Sequence, residues 1–128
     1  MLQQLHEEVV KPRAGEATKG AWYRRWRLMS LDGSTLEVAD EKENEQALGR
    51  PAASRGARAY PLIRFVALVE NGTHGLLGTR LGGYARGEIT LAQEVIASLQ
   101  KDMLCLADRH FFGFALWNQA RATGADLL

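Results

Sequence analysis

A chain of 128 residues, 46% apolar and 24% charged with a net charge of +1, has the size and balance of a single folded domain. The longest uncharged apolar stretches, such as Phe65 to Val69, are far too short to span a bilayer, and MLQQLHEEVV lacks the basic start and long apolar run of an export signal, so a cytoplasmic protein away from membranes is expected. One cysteine, Cys105, excludes a disulfide framework and a thiolate metal site by count, and its setting in MLCLA predicts a buried strand residue.

In chain order, Leu2, Leu5 and Val9 open a short amphipathic helical pattern that breaks at Pro12, Gly15 and Gly20, a lead-in rather than core. The first strong strand is predicted over Trp26 to Leu31, resuming as Ser34 to Val38 past a bend or bulge at Gly33, which places Asp32 at an interruption. Asp40 to Tyr60 has few large apolar residues and reads as a long exposed loop with a helical turn near Glu43. Leu62 to Glu70 and Gly75 to Leu81 should pair as an antiparallel hairpin across Asn71-Gly72, which supplies positive backbone angles; without an export signal, Asn71-Gly72-Thr73 is a turn and not a glycosylation acceptor. Thr90 and Gln93 form a capping-box pattern ahead of Val95, Ile96 and Leu99, predicting a helix over about 90–100. Met103 to Ala107 is a continuous apolar run, predicted as a strand buried on both faces and ending at Asp108. A second helix over Phe112 to Ala122, closed by Gly124, should lead into a further strand at Ala125 to Leu128. The result is an α/β fold with a mixed sheet: an antiparallel meander, then parallel strands reached through helices.

The near-zero net charge hides segregation. Arg13 to Arg27 is rich in basic residues, as is Arg50 to Arg64, and between them lie Glu37, Asp40, Glu41, Glu43 and Glu45. Two basic stretches flanking an acidic one suit a polyanion contacted on either side of a metal site; the plainer reading is a set of solvated loops. Asp32 and Asp108 each follow an apolar strand, where a charge is costly unless a cation or donors compensate it. Paired carboxylates there suit hard divalent cations, although Asp32 also fits a turn and Asp108 a helix N-cap. The tryptophans Trp22, Trp26 and Trp117 could stack on bases but fit packing better, the histidines His6, His74 and His110 read as surface residues, and the Gly82-Gly83, Gly87 cluster lacks the lysine or spacing of a nucleotide loop.

The segments SLDGSTLEVAD, ALGRPAASRGARAYPLIRFVALVENGTH, GEITLAQEVIASL and MLCLADRHFFGFALW, in this order, resemble the Asp-Asp-Glu insertion-sequence transposases from about Arg24 onward. The resemblance implies a ribonuclease H-like fold, with 1–23 as lead-in and 24–128 as part of the catalytic domain. It implies DNA cleavage at transposon ends and joining of the freed 3′ hydroxyl to target DNA. Asp32 and Asp108 would be catalytic ligands to Mg2+ or Mn2+. The two basic stretches, read by their charge, make Arg24, Arg25, Arg50, Arg55 and Arg58 candidate DNA contacts, and Arg109, beside Asp108, fits either a phosphate or a neighbouring carboxylate. Leu48, Leu62 and His110 depart from the family pattern, where Phe, a polar residue and Gly are usual. The family's Glu, in a later motif with Tyr, Arg and Lys, is not reached by Leu128, so the expectation is a transposase fragment inactive alone, prone to self-association through an uncovered core. The alternative is a non-catalytic protein that binds DNA or joins full-length transposase. A haloacid dehalogenase-type phosphatase is a lesser alternative, since Ser34 stands where its second Asp belongs.

Overall fold

Alternating apolar positions make the segment from Trp26 to Glu37 the axis of the molecule, with Met29 and Leu31 buried on one side and Asp32, Ser34 and Leu36 exposed on the other. The computed structural model describes residues 2–52, 59–111 and 113–128. Its elements are α1 (Leu2–Val9), β1 (Trp22–Tyr23), β2 (Trp26–Glu37), α2 (Lys42–Leu48), β3 (Leu62–Glu70), β4 (Gly75–Gly83), α3 (Glu88–Val95), β5 (Met103–Ala107), α4 (Phe114–Ala122) and β6 (Asp126–Leu127). The sheet order is β4-β3-β2-β5-β6, with β1 paired to the start of β2. β2, β3 and β4 form an antiparallel meander, while β5 runs parallel to β2 and β6 parallel to β5. This is the expected mixed α/β sheet, and its meander-then-parallel plan is compatible with a ribonuclease H-like fold.

The core lies on one face. Met29 and Leu31 of β2, Val66 and Leu68 of β3 and Met103 and Cys105 of β5 meet Leu91, Val95 and Ile96 from the α3 region and Leu116 and Ala120 of α4. Each of the Met, Leu, Val and Ile side chains among these, fully buried, stabilises the fold by about 1.5–3 kcal/mol. Packing is close enough that a Cβ on Gly78 would stand 2.7 Å from Ser98 Oγ, just past α3. The opposite face of the sheet carries Leu36, Leu76 and Leu81, all largely exposed.

Several local expectations are corrected. β2 is unbroken from Trp26 to Glu37, and its pairing with β3 runs without a shift through Asp32↔Ala67 and Gly33↔Val66, so no bulge occurs at Gly33. The irregularity lies instead in the hairpin: Val69↔Leu76 is followed by Leu68↔Gly78, leaving Leu77 as the extra residue, packed against the core. The turn spans residues 71–74, with positive φ at Gly72 (84°) and His74 (58°). α3 begins at Glu88, two residues before the predicted cap; Gly87 is the N-cap and Thr90 lies inside the helix, so the capping box does not form. β5 is buried on the side that faces α3 and α4 but only half-buried on the other. α4 starts at Phe114 after a short 3-10 turn over Arg109–Phe111, and Gly124 (φ 86°) ends that region as expected. The start predicted at Phe112 falls on a residue outside those described.

Candidate active site

The parallel pairing of β2 with β5 ends at Leu31↔Ala107, and the next residue on each chain is an aspartate, Asp32 and Asp108. Neighbouring strands lie about 4.8 Å apart, so the topology brings the two acids side by side where β5 stops and β2 continues. A sheet supports this because β2 keeps its antiparallel partner β3 through Glu37↔Leu62 while losing its parallel one. The opening is therefore made by the end of β5, not by a break in β2.

Both carboxylates are exposed. Asp32 Oδ1 accepts from the backbone N–H of Gly33 at 2.8 Å. Asp108 caps the 3-10 turn that follows it: Oδ1 accepts from His110 N at 2.7 Å, and Oδ2 lies 3.2 Å from His110 Nδ1. The side-chain contact with His110, then its backbone N–H, hold the Asp108 carboxyl below its ordinary value. The N-cap role for Asp108 is thus realised, whereas Asp32 is a strand residue and not a turn residue. The donor set, two exposed carboxylates, one on β2 and one just past the end of β5, fits a hard divalent cation completed by water and substrate oxygens. Among the described residues, no cluster of three His, Cys, Asp or Glu side chains is poised to hold a metal. Behind Asp108 lies an apolar hollow of about 160 Å³, lined by Leu31, Cys105, Arg109 and Trp117 among others. The Cys105 thiol is pushed up to about 11 by burial, as an inert core residue should be.

The basic residues divide. Arg24 and Arg25 are exposed at the turn between β1 and β2, and Arg109 is exposed beside Asp108. Arg50 donates to Asp40 Oδ1 at 2.7 Å, to Glu45 Oε2 at 2.8 Å and to the Ala59 carbonyl at 2.7 Å. Arg55 and Arg58 lie outside the described residues. The second basic stretch and the acidic one therefore partly neutralise each other, through Arg50 tying the end of α2 to the chain before it.

A residue passed over in the sequence is Glu70. It too is an acid ending an apolar strand, and it is 1% exposed. It accepts from the backbone N–H of Arg13 at 3.1 Å and of Ala14 at 3.0 Å, and it also takes the Thr73 hydroxyl and the Arg27 guanidinium. Burial pushes this carboxyl up, but the bonds from Thr73, Arg13, Arg27 and Ala14 outweigh it and leave it below its ordinary value. Glu70 is the anchor of the lead-in segment rather than a ligand.

No family model matches the chain, and no solved structure matches it. Two proteins of Escherichia coli (strain K12) do: InsZ, a transposase by inference, 27% identical over 113 residues, and the transposase InsG for insertion sequence element IS4, 26% identical over 124 residues. The chain is similar in sequence to insertion-sequence transposases. The matches cover 87% and 91% of this chain but 38% and 28% of the relatives, so the chain spans well under half the length of either transposase. No helix among the described residues is long and apolar enough to cross a membrane.

Proposed function

We propose that this chain carries the two-aspartate half of a metal-dependent DNA transposition site, with Asp32 and Asp108 as the protein ligands. The observation that carries the reading is their placement on adjacent parallel strands one step past the last paired positions, in a chain related to transposases. Mg2+ or Mn2+, held there with water and phosphate oxygens, would supply charge stabilisation and an activated oxygen for phosphodiester cleavage and strand transfer. Asp32 keeps its position through the β3 ladder and the Gly33 N–H, and Asp108 through the turn at 109–111. Arg24, Arg25 and Arg109, all exposed, are assigned to meet phosphate, and DNA is the partner. Arg50, engaged by two acids, is assigned to scaffolding instead.

With no third acid grouped with the pair among the described residues, the chain by itself is expected not to nick or transfer DNA. The test is nicking of labelled transposon-end DNA with Mg2+ or Mn2+ by the 128-residue protein. No product is expected; product that disappears in both Asp32→Asn and Asp108→Asn would refute the need for a further acid. Binding of Mn2+, followed by its paramagnetic signal, should be weak and lost in either variant. Binding unchanged in both overturns the site. A non-catalytic DNA-binding or transposase-associating role is the second reading, favoured by the same incomplete acid set; it predicts salt-sensitive DNA binding that survives both Asp→Asn changes.

A further inference from the structure

The two-residue turn joining β1 to β2 is Arg24-Arg25, flanked by the paired residues Tyr23↔Trp26. Arg24 adopts φ 54°, which lets the strands reverse within two residues. The rings of Tyr23 and Trp26 lie stacked, with centroids 6.4 Å apart and planes 14° from parallel. The Arg24 guanidinium sits 5.5 Å from the Tyr23 ring centre and that of Arg25 4.9 Å from the Trp26 ring centre. Trp26 is pinned from below, its indole N–H donating to Asp126 Oδ2 at 2.6 Å. Tyr23 keeps 52% of its surface exposed. Arg27, Arg50, Arg80 and Arg86 each meet a carboxylate, whereas Arg24 and Arg25, among the described residues, meet ring faces. Beside the rings, on the sheet face away from the helices, opens an apolar cleft of about 560 Å³ walled by Leu28, Leu104 and Leu106.

We propose that this hairpin tip and its cleft form a binding site for an unpaired nucleotide, the base stacking against Tyr23 at the mouth of the cleft and the flanking phosphates meeting Arg24 and Arg25. The chemistry selects this ligand class. Two planar cations held on aromatic faces keep their outer N–H groups for anions, and the half of the Tyr23 surface still exposed beside an apolar cleft can take a flat apolar partner. An unpaired nucleotide offers both a π face and a phosphate; duplex DNA hides its base faces and offers phosphate alone. Trp26 and Asp32 are on the same side of β2, six residues apart, which is about 20 Å along a strand. The site is thus separate from the aspartate pair and lies on the same open face.

The experiment is titration of a labelled single-stranded 20-mer, and of its duplex, with the whole chain in EDTA at low salt; removing metal separates this test from that of the aspartate site. Wild type should bind the single strand more tightly than the duplex. Tyr23→Ala should weaken single-strand binding about tenfold, the order of one lost base–aromatic stack, while leaving the duplex unchanged, and Tyr23→Phe should restore it. The double change Arg24→Gln with Arg25→Gln should lower the slope of log affinity against log salt by about 1.4, two single-strand phosphate contacts. Tyr23 and both arginines are exposed, so the variants should keep the wild-type circular dichroism. Equal binding of duplex and single strand, no loss in Tyr23→Ala, or no binding at low salt each overturns the proposal, and none of them bears on Asp32 and Asp108.

Discussion

At the residue scale, an acid at the end of an apolar strand has three outcomes in this one protein. Glu70 is buried and saturated with donors, Asp108 is exposed and caps a turn, and Asp32 is exposed beside an unpaired strand edge. Removing the Glu70 charge should therefore be costly: Glu70→Gln leaves Arg27 without its carboxylate, and a loss of roughly 3 kcal/mol is expected from chemical denaturation. The pH dependence follows from its depressed carboxyl. The unfolded group titrates near 4.5 and the folded one lower, so the stabilisation is complete above 4.5 and is lost as pH falls through the folded value. Stability of the wild type should fall more steeply with acidification below that point than stability of Glu70→Gln; identical curves would show that Glu70 contributes nothing through its charge. His110 presents the opposite case. Its ring occupies Asp108 Oδ2, so His110→Gly should free that oxygen and tighten Mn2+ binding, by up to about fivefold given the modest worth of an exposed pair. Calorimetric titration showing weaker binding in His110→Gly would mean that the ring assists the metal.

At the element scale, glycines mark where segments press together, and what they press against decides the cost of filling them. A Cβ on Gly83 would stand 2.6 Å from the Leu48 carbonyl oxygen and 3.0 Å from Leu48 Cα, at the end of α2, where Tyr84 N–H donates to that same carbonyl at 2.6 Å. Backbone cannot step aside, so Gly83→Ala should cost about 1–3 kcal/mol and raise hydrogen exchange in α2 specifically. A Cβ on Gly33 would instead meet the tip of Glu88, whose flexible side chain can swing away. Gly33→Ala should then change stability by no more than about 0.5 kcal/mol. Comparable losses in the two variants would contradict this distinction. The α2 segment also shows why the charge pattern along the chain overstated the basic surface. Arg50 folds back onto Asp40 and Glu45, and only the tertiary path of residues 40–50 makes these neighbours.

For the whole molecule, α3 and α4 cover one face of the sheet, and the other leaves Leu36, Leu76 and Leu81 exposed along β2 and β4. Exposed apolar area of this kind favours association. Sedimentation of the chain should show concentration-dependent oligomers, reduced in a Leu76→Lys, Leu81→Lys double variant that keeps wild-type secondary structure. A strictly monomeric wild type at high concentration would sink the expectation.

What the sequence determined by itself is the set of elements whose signals are local. The apolar run Met103 to Ala107 became β5 with those bounds, Leu62 to Glu70 became β3, and the meander-then-parallel order followed from strand and helix periodicities along with connection lengths. The two candidate acids were legible for the same reason, because a carboxylate beside an apolar strand stands out in one dimension. Tertiary structure decided the rest. Gly33 looked like a bulge, yet cross-strand pairing with Val66 holds β2 straight through it. Thr90 looked like a cap, yet the chain enters α3 from Gly87. Glu70 carried the same local signal as Asp32 and Asp108, and only the packing of Arg27 and the 13–14 backbone against it separates a buried anchor from a candidate ligand. Local propensity reports what a segment tends to form, while register, burial and ion pairing are set by partners far away in sequence, which is why Asp32 and Asp108 become neighbours only where β5 ends beside β2.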